Sequence, residues 1–522
     1  MRTSIVAQPT VRNVLFITAD QWRGDTLGAV GHPCVKTPNL DRLAADGVLF
    51  SKHYAQGAPC APSRASLLTG LYMFNHRVVY NGPPLDRRFT NVALEARKAG
   101  YNPVLIGHTS TAPDPRTLES GDPQLETYQG VLPGFKEIAN HTTSWLAWLK
   151  GRGYEGLHRT ADAYKQVPNY PGAEKHGYTY SPPAYSAEES ETAFAAGEAL
   201  NWLAVNGKRP WFLHLSFQRP HPPFVAPEPY NKMYDPGDVP TPRRAASPED
   251  EAAQHPYLSL MIENHRRRSY LLNHNGREAD IDDFTILQAR ASYYGLMSEV
   301  DHHVGRIIDQ LKGSGQYDQT LIIFTSDHGE HLGDHHLQGK SGYFDEAFHI
   351  PLIIRDPEAA SKGGRGSKID AFTENVDIMP AILDWLGLEV PVQCDGATLM
   401  PFIRGETPDN WRSEAHWEFD WRHVPVLSGE NGLGLQPDQC HLAAIRDEEY
   451  KYVHFPALPS LLFDLKKDPD QLVNHADDPA YADIQLDYTK KMLSWRMTHE
   501  DRILANMFLD VGGVREWRGP RY

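Results

Sequence analysis

Four short apolar runs recur along the chain, and each one ends in polar side chains. Asn13-Val14-Leu15-Phe16-Ile17-Thr18 leads to Asp20, and Pro103-Val104-Leu105-Ile106-Gly107 leads to His108. Trp211-Phe212-Leu213-His214-Leu215-Ser216-Phe217 leads to Arg219-Pro220-His221, and Thr320-Leu321-Ile322-Ile323-Phe324-Thr325 leads to Ser326-Asp327-His328. Apolar residues at consecutive rather than alternate positions predict strands buried on both faces. Between the strands lie helical patterns. The clearest, Tyr293, Leu296, Met297, Val300, Val304, Ile307, Ile308 and Leu311, forms one apolar helix face that stops at Gly313. Strands alternating with helices predict an α/β fold with a mostly parallel sheet covered on both sides. Ligands of such sheets bind beyond the carboxyl ends of the strands, where these polar residues fall.

Residues 155 to 187 and 219 to 283 are rich in Pro, Tyr, His and charge, with little periodicity. They read equally as excursions over the active-site face or as plain surface loops. After about residue 410 the texture changes. His441-Leu442-Ala443-Ala444-Ile445, a turn at Asp447-Glu448-Glu449, and Lys451-Tyr452-Val453-His454-Phe455 predict an antiparallel hairpin. A strand at Leu461-Leu462-Phe463 and a helix from Pro479 to Ala505 complete a small α+β unit. The division expected is 1–410, 411–505 and a tail, 506–522, too short to fold alone. Phe508, Trp517 and Tyr522 suit that tail for packing on the body or on another subunit.

With 522 residues the chain can bury a large core. Its 51 basic and 67 acidic residues leave a net charge of −16, which disfavours nucleic acid or an anionic membrane as partner. Met1 to Arg12 hold no apolar segment of signal-peptide length, and no apolar stretch reaches the roughly 18 residues of a membrane span. The expectation is a soluble cytoplasmic protein. Four scattered cysteines, Cys34, Cys60, Cys394 and Cys440, do not make a disulfide framework and fit a reducing compartment.

The most informative segment is Cys60-Ala61-Pro62-Ser63-Arg64-Ala65-Ser66-Leu67-Leu68-Thr69-Gly70. Pro62 suits a first helical turn and Gly70 a helix stop, which sets the Cys60 sulfur at a helix mouth. Unpaired N–H groups and the positive end of the dipole, with Arg64 one turn along, make an anion the expected visitor. Asp20, Asp327 and His328, converging from two strand ends, form a reasonable ligand set for one divalent cation. A lone strand-end Asp is more often a helix N-cap.

The run resembles the sulfatase signature C-x-P-S-R-x-x-x-L-T-G. That resemblance implies oxidation of Cys60 to formylglycine by a formylglycine-generating enzyme, and a hydrated aldehyde as nucleophile. Asp20-Gln21, Ser326-Asp327-His328-Gly329-Glu330, Gly339-Lys340, Val376-Asp377-Ile378-Met379-Pro380 and Leu462-Phe463-Asp464-Leu465 are similar to segments of the sulfatase branch of the alkaline phosphatase superfamily. Arg219-Pro220-His221-Pro222-Pro223-Phe224 and Gly333-Asp334-His335-His336 resemble the phosphonate monoester hydrolases of that branch. The similarity spans residues 12 to 500. It implies an alkaline phosphatase-like α/β/α sandwich with a smaller C-terminal antiparallel sheet.

Many sulfatases bind calcium through Asp, Asp, Asp and Asn, whereas the positions here read Asp20, Gln21, Asp327 and His328. An amide and an imidazole lower the negative charge and add a nitrogen donor, which favours Mn²⁺ over Ca²⁺. The hydrated aldehyde at position 60 would add an oxygen ligand and attack sulfur or phosphorus. Arg64 and Lys340 would hold the non-bridging oxygens, with His221 as general acid. Gln21, Asn81, His108 and Ser110 fall at substrate-binding positions, although Asn81-Gly82 also reads as a turn and His221 as a structural histidine among prolines. His108 and Ser110 match neither the Lys and His of many sulfatases nor the Tyr and Thr of phosphonate monoester hydrolases.

A monoanionic ester is the implied substrate, with sulfate esters slightly preferred because His108 is not a tyrosine, and phosphonate monoesters and phosphodiesters sharing the pocket. The alternatives are phosphonate monoester hydrolysis as the main activity, a two-zinc phosphatase or phosphodiesterase, and an inactive anion-binding homologue. A homo-oligomer, dimer or tetramer, is expected from the aromatic tail and long loops.

Overall fold

The central strands are buried along their whole length and mostly apolar on both faces because successive side chains serve two cores. The computed structural model describes residues 12–177, 179–207, 209–266, 276–359, 363–423 and 433–516. Among them β1 (Asn13–Ala19), β2 (Val48–Tyr54), β4 (Val104–Ile106), β5 (Lys136–Ala139), β6 (Phe212–Phe217), β7 (Thr320–Thr325), β8 (His349–Arg355) and β9 (Ser367–Glu374) form one sheet. Its order is β5-β4-β6-β1-β7-β8-β2-β9. All neighbours are parallel except those of β8, which runs antiparallel to β7 and β2.

Leu15, Ile17, Leu213, Leu215, Ile322 and Phe324 face one core. Val14, Phe16, Phe212, Leu321 and Ile323 face the other. The first core is closed by α1 (Pro38–Asp46), α4 (Glu191–Asn206) and α5 (Asp283–Gly313). The second is closed by α2 (Cys60–Thr69), α3 (Val92–Lys98) and α6 (Ile378–Leu386). The result is the alkaline phosphatase-like sandwich. The helix expected to end at Gly313 does end there but starts ten residues before Tyr293, at an Asp282 cap whose carboxylate accepts from Thr285 N at 2.8 Å. Its first turns bury polar Thr285, Gln288, Arg290 and Ser292, so apolar periodicity understates it.

A second sheet, in the order β13-β12-β11-β10-β3, combines β10 (Ala415–Asp420), β11 (His441–Arg446), β12 (Tyr450–His454) and β13 (Leu461–Asp464) with β3 (Gly57–Ala58). The sequence pattern anticipates the hairpin and β13 but not β3, which pairs parallel to β10 and ends two residues before Cys60. The small sheet thus fixes the chain entering α2. Helix α7 (Ala482–Thr498) packs Tyr488, Met492 and Trp495 on this unit.

The two excursions bury side chains rather than lying on the surface: Tyr164, Tyr185, Tyr257 and Leu258 are all covered. In the tail, β14 (Met507–Asp510) and β15 (Gly513–Glu516) pair only with each other, and Phe508 is exposed. Trp517 and Tyr522 lie outside the described residues, as do 1–11. No described helix is long and apolar enough to cross a membrane.

Candidate active site

The order β6-β1-β7 brings three parallel strand ends together in the middle of the sheet, and ligands of such sheets bind beyond those ends. Register aligns Ala19 with Phe217, and Thr18 with Thr325. Asp20 and Asp327 therefore emerge side by side. Ser326 Oγ donates to Ala19 O at 2.7 Å and accepts from Trp22 N at 2.9 Å, locking the two ends.

Above them α2 begins at Cys60 and closes at Gly70, whose φ of 69° is the left-handed stop and whose N–H bonds Ser66 O at 2.9 Å. Cys60 is buried, with Sγ 3.3 Å from His328 Nε2, 3.4 Å from Lys340 Nζ and 3.8 Å from Asp20 Oδ1. One ligand atom from each of Asp20, Cys60, Asp327 and His328 lies within 4.8 Å of the others. This donor set fits a divalent cation. His328 Nδ1 donates to Gly329 O at 3.1 Å, leaving the Nε2 lone pair turned into the cluster. Burial lowers its pKa to about 3, so the imidazole is neutral and ready to ligate.

Sequence reasoning gives Arg64 to the substrate, but the structure turns it the other way. Nε donates to Asp327 Oδ2 and Nη2 to Asp20 Oδ2, both at 2.9 Å. Nη1 donates to His108 O at 2.8 Å and Ser216 Oγ at 2.7 Å. All three nitrogens are committed within the protein, so the guanidinium organises the carboxylates from behind. Burial, then the charge of Asp327, raises Asp20 to about 7. Burial opposes ionisation of Asp327 too, but His328, Arg64 and Lys340 outweigh it and hold this carboxyl well below the usual range. The pair thus retains one proton near neutrality, which a cation would displace.

Lys340 is the cation that does face Cys60. Burial works against its charge, but Cys60, Asp20 and Asp327 prevail and hold the ammonium above its ordinary range. It donates to Gln21 Oε1 at 2.7 Å, and Gln21 Nε2 donates to Glu330. Gln21 adopts a left-handed φ of 67°, unusual for a side-chain-bearing residue. Its N–H bonds Asp327 Oδ1 at 3.1 Å and its carbonyl accepts from Tyr293 of α5 at 2.7 Å. The amide therefore sets the place of the ammonium. Asn81 Oδ1 accepts from Ala61 N at 2.9 Å at the mouth of α2, which leaves the side-chain N–H₂ as its donor.

His221 is half-buried, with Nδ1 donating to Pro222 O at 2.7 Å and Nε2 left open. Burial, then Lys340, holds it well below the ordinary histidine range, so the resting ring is neutral. His108 is spent internally. Nε2 donates to Gln218 Oε1 at 3.1 Å and Nδ1 accepts from Ser110 Oγ at 3.0 Å. Neither ring nitrogen of His108 is left for a substrate oxygen, and the Ser110 hydroxyl is used in holding it. Gly107 makes this turn possible: at φ 106° a Cβ would sit 2.2 Å from Ser216 O.

Two tyrosines escape sequence reasoning. Burial, then the nearby Cys60, push the Tyr128 phenol up to about 12 against the opposing charge of Lys340, and burial raises Tyr80 beside the same two neighbours. The Tyr80 ring stacks on His423 at 3.7 Å. Adjacency to Asn81 is the one signal that could have pointed to Tyr80; Tyr128 sits in a polar loop with none. The Cys60 thiol is itself pushed above its ordinary range, by burial first and Asp20 next, so it is neither thiolate nor a ready nucleophile.

Residues 12–388 match the family described as Sulfatase, and residues 333–498 match the family described as N-sulphoglucosamine sulphohydrolase, C-terminal. The chain is 45% identical to the multifunctional alkaline phosphatase superfamily protein PehA of Trinickia caryophylli, over 95% of this chain and 97% of that one. It is similar to the crystal structure of a phosphonate monoester hydrolase of Agrobacterium radiobacter, with a TM-score of 0.93 and 48% identity over 97% of this chain and 100% of that one. An arylsulfatase of Clostridium perfringens is 28% identical over 92% of this chain and 93% of its own length.

Proposed function

The chain belongs to the sulfatase family, a hydrolase acting on sulfate or phosphonate esters, and from that premise we propose that its main substrates are phosphonate monoesters and phosphodiesters, with sulfate esters turned over in the same pocket. The observation that carries the reading is the charge at position 60. Asp20 and Asp327 are balanced by Arg64 and Lys340, so one divalent cation leaves a modest positive surplus, suited to a monoanion. Among the described residues there is a single ligand cluster, which supports one metal rather than two. The slight sequence preference for sulfate esters rested on His108, and both of its ring nitrogens are engaged within the protein. The relatives named for phosphonate monoesters then weigh more.

Asp20, Asp327 and His328 would hold the cation with the side chain of position 60, and the His328 nitrogen favours Mn²⁺ over Ca²⁺. When bound, it supplies Lewis acidity to an oxygen nucleophile and to the ester oxygens. Because the Cys60 thiol is held protonated, conversion to formylglycine by a maturation enzyme is the route to such a nucleophile. Lys340, held by Gln21, binds a non-bridging oxygen where charge grows in the transition state. Asn81 orients the ester from the helix mouth. His221 delivers a proton from Nε2 to the leaving oxygen, and the negative charge of the bound ester favours its protonated form there.

Rates for an aryl sulfate, a phenylphosphonate monoester and a phosphodiester sharing one leaving group test the ranking. A sulfate rate above both others overturns it. Intact mass tests the nucleophile, since formylglycine is about 18 Da lighter than cysteine. Cys60→Ala should abolish all three activities with the fold retained, and surviving turnover counts against the covalent route.

A further inference from the structure

Arg219 is 1% exposed yet lies outside both the ligand cluster and the contacts of Cys60. Its Nη1 donates to His221 O and to Pro223 O, each at 2.8 Å. One nitrogen therefore clasps both ends of the turn that carries His221. Between the two clasped carbonyls lies Pro222 O, the acceptor for His221 Nδ1. The orientation of the imidazole is thus tied to the shape of this turn, and the shape of the turn to Arg219.

The guanidinium is itself immobilised from three sides. Nε pairs with Glu191 at 2.5 Å, and the Tyr164 ring lies 4.4 Å from the guanidinium carbon. The Tyr164 hydroxyl donates to Glu191. Glu191 opens α4, whose cap Ser190 Oγ accepts from Ala193 N at 3.0 Å and donates to Glu299 of α5. The 155–187 excursion, which supplies Tyr164, and two long helices behind the sheet all converge on one side chain. A buried Arg–carboxylate pair is weak evidence for stability, so a specific geometric task is the better account of it.

We infer that Arg219 is a positioning residue that fixes the His221 imidazole for proton delivery, with Glu191 and Tyr164 holding the guanidinium in place. This rests on the reading of His221 as the acid for the leaving oxygen. A lysine at 219 keeps the charge opposite Glu191, but a point ammonium lacks the fork that reaches Glu191 and the turn together. Only substrates that need the proton should suffer.

The test measures kcat/KM over a series of aryl esters of one phosphonic acid, from 4-nitrophenol to phenol as leaving group, in the parent, Arg219→Lys, His221→Ala and the double variant. For Arg219→Lys the expected fall is about 10- to 100-fold with phenol and under about 3-fold with 4-nitrophenol. In the His221→Ala background the same change should add under about 2-fold. An equal fall across the series, or a full additional loss in the double variant, overturns the positioning role. A His221→Ala series no steeper than the parent sinks the acid reading itself, whatever Arg219 does. Should Arg219→Lys not fold, Glu191→Gln is measured instead, with the same outcomes deciding.

Discussion

Arg64→Met removes the buried guanidinium while keeping much of its length and apolar volume. Four hydrogen bonds are lost, two of them to carboxylates that are 1% exposed or less. Breaking a buried ion pair from one side costs about 3–5 kcal/mol, because the partner charge stays uncompensated. Here two carboxylates lose one shared cation, so the cation-free protein should sit at the top of that range. A divalent ion enters the same electrostatic deficit. At saturation the ion narrows the gap to the parent by RT ln of the ratio of the two Kd values, so with the competing guanidinium charge gone the variant should bind it more tightly, and a roughly 100-fold tighter Kd returns about 2.7 kcal/mol. Urea midpoints are measured with EDTA and with saturating Mn²⁺, for the parent, Arg64→Met and Arg64→Lys. The deficit of the Met variant should be large in EDTA and less than half as large with Mn²⁺. Lysine should recover only part of it, having no fork to span Asp20 and Asp327. A deficit below about 1 kcal/mol in EDTA, or one unchanged by the ion, would refute the assignment of Arg64 as the organiser of the carboxylates.

Cation binding should be pH-dependent. Below about 7 Asp20 holds a proton that the ion must displace, whereas His328, lowered to about 3, has none to lose. Affinity should therefore rise about tenfold per pH unit up to about 7 and then flatten, and calorimetry showing no slope below 7 contradicts the shared-proton picture. Gly329→Ala places a Cβ 2.0 Å from Glu346 O, a backbone clash costing about 1–3 kcal/mol or more and displacing Asp327 and His328. An unchanged denaturation midpoint together with unchanged Mn²⁺ affinity would contradict it. Gln21→Leu removes the acceptor for Lys340 and the side-chain donor to Glu330, so KM for a phosphonate monoester should rise about 10-fold, the loss of one charge-assisted hydrogen bond. Unaltered steady-state kinetics would leave Lys340 positioned by something else.

The parts of the site that lie on one stretch of chain were open to sequence reading. An apolar strand delivers Asp20, another delivers Asp327-His328, and Cys60 to Gly70 encode a helix with its own start and stop. In each case the signal is local, a few residues whose conformation is set by neighbours in the chain. The limits of α5 were read less well because its first turns bury Thr285, Gln288, Arg290 and Ser292. Polar residues satisfied inside a core leave no apolar stripe to count.

Family resemblance and strand-end chemistry together pointed to the fold and to the buried cluster of Asp20, Cys60, Asp327 and His328. Tertiary structure decided the direction in which each charge points. Arg64 sits one helical turn from Cys60 and could as well have faced an ester. Four partners, two carboxylates, a carbonyl and a hydroxyl, brought in from residues 20, 327, 108 and 216 by the register of β1, β4, β6 and β7, claim it instead. Both ring nitrogens of His108 are engaged by Gln218 and Ser110, and Tyr80 and Tyr128 are brought near Cys60 by loops with no periodic signal. A buried polar group must find partners wherever the fold places them, so its role follows from neighbours distant in sequence.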